Sequence, residues 1–226
     1  MRTRTFIAVI GLIQLIAGLS LQAADQMTSL HARSGSKMRI EGTSLIHDWQ
    51  VESRIIGGSI EVGPNFPTVP GQEVKPGKMD VHGIAIIRVR SLQSVEKNGS
   101  HYSDKMDESM WKKLKLNEFT NIFYYPNELS LKEPAKGKDA PYLFDSKGDV
   151  VVAGVTNTVS MPVNIMPMAD NKVKISGTLN TKFSNFKLDP TFPVIGGATF
   201  KTADEVKLIF EWIVGANKPT AAASSK

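Results

Sequence analysis

From Lys172 to Phe183 the chain shows its clearest alternation of apolar and polar residues. Val173, Ile175, Leu179 and Phe183 fall on one face, and Lys172, Lys174, Ser176, Thr178, Asn180 and Lys182 on the other. A period of two with one apolar face describes a half-buried antiparallel strand and excludes a helix. Val206, Leu208, Phe210, Trp212 and Val214 repeat the pattern, as do Val159, Met161, Val163 and Ile165. Met38 and Ile40 alternate with Arg39 and Glu41, and Trp49, Val51 and Ile55 with Gln50, Glu52 and Arg54. Segments 81–92, 122–131 and 142–153 are strands of less regular phase, giving about eight in all by the alternation rule.

Turn chemistry separates these segments. Gly57-Gly58 reads as a bulge or bend, and Asn98-Gly99 and Lys147-Gly148 as tight-turn candidates. Residues 63–78 carry Pro64, Pro67, Pro70 and Pro76 with Gly71 and Gly77, so they form an extended loop. Residues 190–197 read as another loop, and 217–226 as a polar tail. A single helix is expected over 104–116. Met106, Met110 and Leu114 recur every four residues with Trp111 beside them, and Ser103 stands at the N-cap position. One amphipathic helix among antiparallel strands describes an all-β barrel or sandwich with the helix over one opening or edge.

The first residues carry an address rather than a fold. Arg2 and Arg4 precede an apolar run from Phe6 to Leu19, and small residues Ala23 and Ala24 follow. These are the three parts of a secretory signal peptide, with cleavage expected after Ala23. The run is shorter than the roughly 20 residues of a spanning helix, and no later run spans a bilayer. The expected organisation is a signal peptide over 1–23, a polar segment over 24–36, a barrel domain over 37–215 and a flexible tail over 216–226. Removing the leader takes two Arg and no acid, lowering the net charge from +5 to +3. That modest surplus, with export, argues against a nucleic-acid partner. The chain has no cysteine, which excludes disulfides, thiolate metal sites and a Cys nucleophile.

Reaction chemistry is sparse. His31, His47, His82 and His101 are the four histidines, and none stands at a metal-ligand spacing. Ser44, His47 and Asp48 crowd into five positions of one turn, too close to act as nucleophile, base and orienter. The double glycines neither open a helix nor precede Lys-Ser/Thr, so they are not phosphate loops. No paired carboxylates suggest glycosidase chemistry. What remains is the apolar face of the strands. A barrel of about eight strands either fills itself with side chains or keeps room for one small ligand, and alternation alone does not separate the two.

The order of motifs is nevertheless familiar. Met38-Arg39-Ile40-Glu41-Gly42-Thr43-Ser44 followed by His47-Asp48-Trp49 resembles the opening of the YceI-like family of exported lipid-binding proteins. The resemblance runs on through 106–114, Val152-Ala153-Gly154-Val155-Thr156, Gly177-Thr178-Leu179, Phe183-Ser184-Asn185-Phe186 and the last strand, covering about 37–214. It implies an eight-stranded antiparallel lipocalin-like β-barrel with a helix near one end. It also implies an elongated apolar pocket for a long isoprenoid chain, polyprenyl quinones included, no catalytic residues and no resident cofactor. Loop 63–78 looks longer than is usual in that family and is placed to cover or reshape a barrel mouth.

By strand phase the lining falls to Trp49, Val51, Ile55, Val173, Ile175, Leu179, Phe183, Leu208, Phe210 and Trp212. Met106, Met110, Trp111 and Leu114 pack the helix over them. His47 and Asp48 are expected to fix the turn between the first two strands, Asp48 by capping backbone N–H groups. The resulting expectation is a periplasmic or secreted carrier or sequestering protein for an isoprenoid or other lipid, with a homodimer left open. Two other classes stand beside it. One is a small enzyme on an apolar substrate using His47 or His82. The other is a closed-core barrel that acts on a protein partner from outside, through loop 63–78.

Overall fold

The computed structural model of the protein describes residues 27–45, 47–79, 81–193 and 199–217, so the leader and most of the tail lie outside the described residues. Its strands are β1 (Thr28–Ala32), β2 (Lys37–Ser44), β3 (Trp49–Ser53), β4 (Gly57–Val62), β5 (Lys78–Met79), β6 (Val81–Arg88) and β7 (Gln93–Val95). After helix α1 (Asp104–Lys113) come β8 (Asn121–Glu133), β9 (Tyr142–Val152), β10 (Val155–Met168), β11 (Lys172–Lys182), β12 (Thr191–Pro193) and β13 (Thr199–Ala216).

All pairings are antiparallel, and the order β1-β4-β6-β8-β9-β10-β11-β13 returns to β1, closing a barrel of eight strands. The seam is made at the two ends of the chain, where Leu30, His31 and Ala32 pair with Ala216, Gly215 and Val214. Arg33 fastens it, donating from Nη2 to the carbonyls of Gly215 and Ala216 at 2.9 and 2.8 Å. Residues 28–32 belong to the polar segment that the sequence reading left outside the barrel. Only Leu30 of β1 is buried, so the strand has too little alternation to be seen and is defined by its partners β13 and β4.

The barrel has two storeys. Three of its eight staves are interrupted, so that β1, β4 and β6 continue upward as β2, β3 and β7. The lower segments belong to the closed ring. The upper ones pair β13–β2–β3–β7, and among the described residues β7 pairs with no further strand. Helix α1 covers that exposed edge. On the outer side of β7, Ser94 N–H donates to Asp107 Oδ1 at 2.6 Å and Ser94 O accepts from Tyr102 N–H at 2.9 Å. Trp111 Nε1 donates to Leu92 O at 2.9 Å. An edge strand is thereby occupied by side chains and not left to recruit another chain. The cap is as expected, with Ser103 Oγ accepting from Met106 N–H.

Loop 63–78 closes the lower end. Asn65 bonds both backbone polar groups of Lys75, and Gln72 receives Thr68 and Val69 N–H while donating to Phe66 O. Phe66 and Val74 are buried, and Tyr142 Oη donates to Gln72 O, tying the loop to β9. Burial raises the Tyr142 pKa, which keeps this donor protonated.

Several local expectations are revised. Ala153-Gly154 forms the two-residue hairpin turn between β9 and β10, both at positive φ as a type I′ turn requires. Asn98-Gly99 is also a turn, but Lys147-Gly148 is not. Gly148 lies inside β9, where the absence of a side chain admits the ring of Tyr124. Part of the expected loop at 190–197 is strand β12, paired with β13. Ser44, not Asp48, brackets the turn after β2. Its Oγ donates to His47 O at 2.7 Å and accepts His47 N–H at 3.2 Å.

Candidate functional site

Strand register stacks the inward residues in tiers. Tyr142, Ile165, Ile175 and Trp212 face one another across β9, β10, β11 and β13 near the closed end. Phe144, Val163, Gly177, Phe210 and Met38 form the next tier. Above it, Leu179, Leu208, Ile40 and Val51 cross β11, β13, β2 and β3.

Two cavities lie inside. The lower one, about 100 Å³, is bounded by Ile60, Phe66, Val81, Ala85, Ile122, Leu129, Met161, Val163, Ile175, Phe210 and Trp212, among others. The upper one, about 60 Å³, lies under α1 among Ile40, Trp49, Val51, Met106, Met110, Leu114 and Phe183. The third tier stands between them. Leu179 and Leu208 line the lower cavity, while Ile40 and Val51, paired in the same row, line the upper. Methionines border both sides, Met38 and Met161 below and Met106 and Met110 above, and their flexible thioethers adapt readily to shape.

Most predicted lining residues fall here. Ile175, Leu179, Leu208, Phe210 and Trp212 line the lower cavity, and Trp49, Val51, Phe183 and Met110 the upper. Three do not. Ile55 is 61% exposed, because the chain kinks after Ser53. Ser53 Oγ bonds both the N–H and the C=O of Ile55, the alternation slips by one residue, and Ile56 turns inward instead. Val173 is buried against the seam, paired with Val214, and borders neither cavity. Trp111 lies against β7, with the Arg90 guanidinium 4.1 Å above its ring.

The lower wall holds few polar atoms. Tyr124 Oη and Ser146 Oγ are 2.7 Å apart, a pairing the irregular phase of β8 concealed. Burial, chiefly, raises the Tyr124 pKa, with the charge of Asp149 adding to it and the Ser146 bond opposing it. Trp212 Nε1 is buried and has no hydrogen-bond partner among the described residues. A buried donor left unpaired costs about 1–3 kcal/mol. Trp49 Nε1 is unpaired as well.

Trp49 occupies a boundary. Its side chain borders the upper cavity and two open outer clefts of about 700 and 670 Å³. Gly42, its cross-strand partner, has no Cβ, and one placed there would overlap the indole.

The histidines are elsewhere. His82 is on the exposed face of β6, and His47, whose Nδ1 is 2.7 Å from Asp48 O, lies in the turn beside an outer cleft. His101, Asp104 and Asp107 bring one potential metal ligand each within 4.8 Å of one another at the start of α1, a grouping that no spacing rule revealed. Asp107, however, is engaged already, by Ser94 N–H through Oδ1 and by His101 Nε2 at 2.9 Å through Oδ2. Its position binds α1 to β7.

A closed antiparallel barrel with an enclosed apolar interior and a helix over one end is a lipocalin-like architecture. No family model matches the chain, and no curated protein matches its sequence. Solved structures do match. BcnA of Burkholderia cenocepacia is 16% identical, with a TM-score of 0.54 over 79% of this chain and 95% of its own. A polyisoprenoid binding domain from Saccharophagus degradans, implicated in plant cell wall breakdown, is 10% identical, with a TM-score of 0.55 over 85% of this chain and 100% of its own. A YceI protein of Campylobacter jejuni is 13% identical, with a TM-score of 0.47 over 74% and 85%. The barrel fold is thus shared with BcnA and with the polyisoprenoid binding domain. Among the described residues no helix is long and apolar enough to cross a membrane.

Proposed function

We propose that the protein binds a long apolar ligand, a polyisoprenoid, an isoprenoid quinone or a similar lipid, inside its barrel, without catalysis. It would serve as an exported carrier or sequestering protein of the YceI-like kind. The observation that carries this reading is the pair of apolar cavities on either side of the tier of Leu179, Leu208, Ile40 and Val51. A neighbour of the same fold is a polyisoprenoid binding domain, which supports the ligand class. Export rests on the leader read from the sequence.

An apolar cavity of about 150 Å³ is large enough to take benzene. The lower cavity, at about 100 Å³, matches a small hydrocarbon unit and not a whole chain. A longer ligand runs through both storeys and parts the tier between them. Each buried CH₂ contributes about 0.8 kcal/mol, so a few isoprene units offset the ordering of a flexible chain.

The test is mass spectrometry of an organic extract of residues 24–226, purified from a periplasm without detergent. A stoichiometric isoprenoid or acyl species is expected. A clean blank would overturn the carrier reading and favour a closed barrel acting through its outer surface.

A further inference from the structure

The lower cavity has an unusual polar inventory. Trp212 supplies an N–H with no partner. On β8, four strands around the ring from β13 in either direction, Tyr124 shares one hydrogen bond with Ser146. Whichever hydroxyl donates in that bond, the other keeps its proton for a further acceptor. The cavity thus offers donors on facing walls, while no Lys, Arg or His is among its lining residues. Among the lining residues of the upper cavity, Lys113 is charged and is ion-paired with Asp189 at 3.6 Å.

We infer that the closed end of the barrel is a head-group site for an uncharged, acceptor-bearing group such as a ketone or quinone carbonyl. Trp212 is its principal donor and the Tyr124–Ser146 pair its second. The ligand enters head first, with its hydrocarbon tail running up past Leu179 and Leu208 toward α1. The inference rests on the binding function proposed above and adds polarity and orientation to it. An apolar wall that holds donors without cations recognises a carbonyl oxygen and rejects a carboxylate or phosphate, whose charge would lose its hydration uncompensated. A charged end stays in the upper storey, beside Lys113. Burial keeps the Tyr124 hydroxyl protonated and therefore a donor.

The experiment compares three probes on the full mature chain: geranylacetone, its methylene analogue in which CH₂ replaces the ketone oxygen, and geranic acid at mildly alkaline pH. Geranylacetone is expected to bind about tenfold tighter than the methylene analogue, the worth of one hydrogen bond, and geranic acid weakest of the three. The infrared carbonyl band of bound geranylacetone moves to lower frequency, as for a hydrogen-bonded ketone. Trp212→Phe removes the N–H while keeping an aromatic ring. It lowers the affinity for geranylacetone most of the way to that for the methylene analogue, leaves the latter unchanged and returns the band toward its unbonded position. Tyr124→Phe gives a smaller change of the same kind.

An unshifted carbonyl band in the unmodified protein overturns the head-group site, whatever the variants do. So does equal binding of ketone and methylene analogue. If both neutral probes bind equally, the apolar cavity stands and only its polarity is refuted. If none of the three binds, the lipid-binding function falls with it.

Discussion

Trp49 stacks on Phe183, with ring centroids 6.1 Å apart and planes inclined by 26°. One residue comes from the upper storey and the other from the end of β11. Together they separate the upper cavity from the outer clefts that Trp49 also borders.

The first prediction is that this contact gates ligand exchange. Gly42→Ala places a methyl group against the indole and pushes it off Phe183. An aromatic pair is worth about 0.5–1.5 kcal/mol beyond its buried area, so its loss speeds opening roughly two- to tenfold. Stopped-flow uptake of a fluorescent apolar dye measures this. An unchanged rate in a folded Gly42→Ala variant would place the entrance elsewhere.

The tier between the storeys is the second test. Ile40→Trp fills the junction from the upper cavity, which Ile40 lines, at a cost of about 1–3 kcal/mol for overpacking. Xenon binding in the lower cavity is expected to persist, while geranylgeraniol binding is lost. If both ligands bind as before, the cavities are not occupied as one tunnel.

The helix latch is the third. Asp107→Ala leaves the buried Ser94 N–H without an acceptor, a loss of about 1–3 kcal/mol. Amide exchange within α1 and at Ser94 is expected to accelerate while the lower ring stays protected. Uniform acceleration throughout the barrel would show that the latch carries global stability instead.

Acid sensitivity is the fourth. Asp204 accepts Ser184 N–H at 2.8 Å and the Ser184 hydroxyl, and these bonds hold its carboxyl below the usual value. The unfolded chain then binds the proton more readily than the folded one. The stabilisation is complete above the unfolded pKa, about 3.9, and is lost as the pH falls through the lower folded value. Asp149, held down by Thr158 and Asn127, acts in the same sense. In urea denaturation followed by circular dichroism from acid to neutral pH, Asp204→Asn should lower stability on the neutral plateau and flatten the low-pH limb. An unaltered limb would remove Asp204 from the account.

The alternation of β11 and β13 identified Ile175, Leu179, Leu208, Phe210 and Trp212 as cavity residues, because strand period and sheet face are local properties. Ile55 was misplaced by a hydrogen-bonded kink at Ser53, where the phase slips and composition gives no sign. Strand β1 escaped notice because its pairing partners lie far away in the chain. Trp111 belongs to the expected helical stripe, yet its indole N–H is satisfied by Leu92 O, which turns it toward β7. Tyr124 and Ser146 were illegible as a pair, since a register shift between Pro126 and Glu128 and the bare backbone at Gly148 bring them together.

The seam joins Leu30 to Ala216, nearly the whole described chain apart. Closing such a distance carries a large entropic cost before any contact repays it, so ring closure comes late in folding. Until β13 is in place, β11 and β1 each lack a neighbour, and the apolar interior lies open along that side. A chain in this state exposes apolar surface and is a natural client for a chaperone. The pocket exists only once β13, the strand that closes the ring, has arrived.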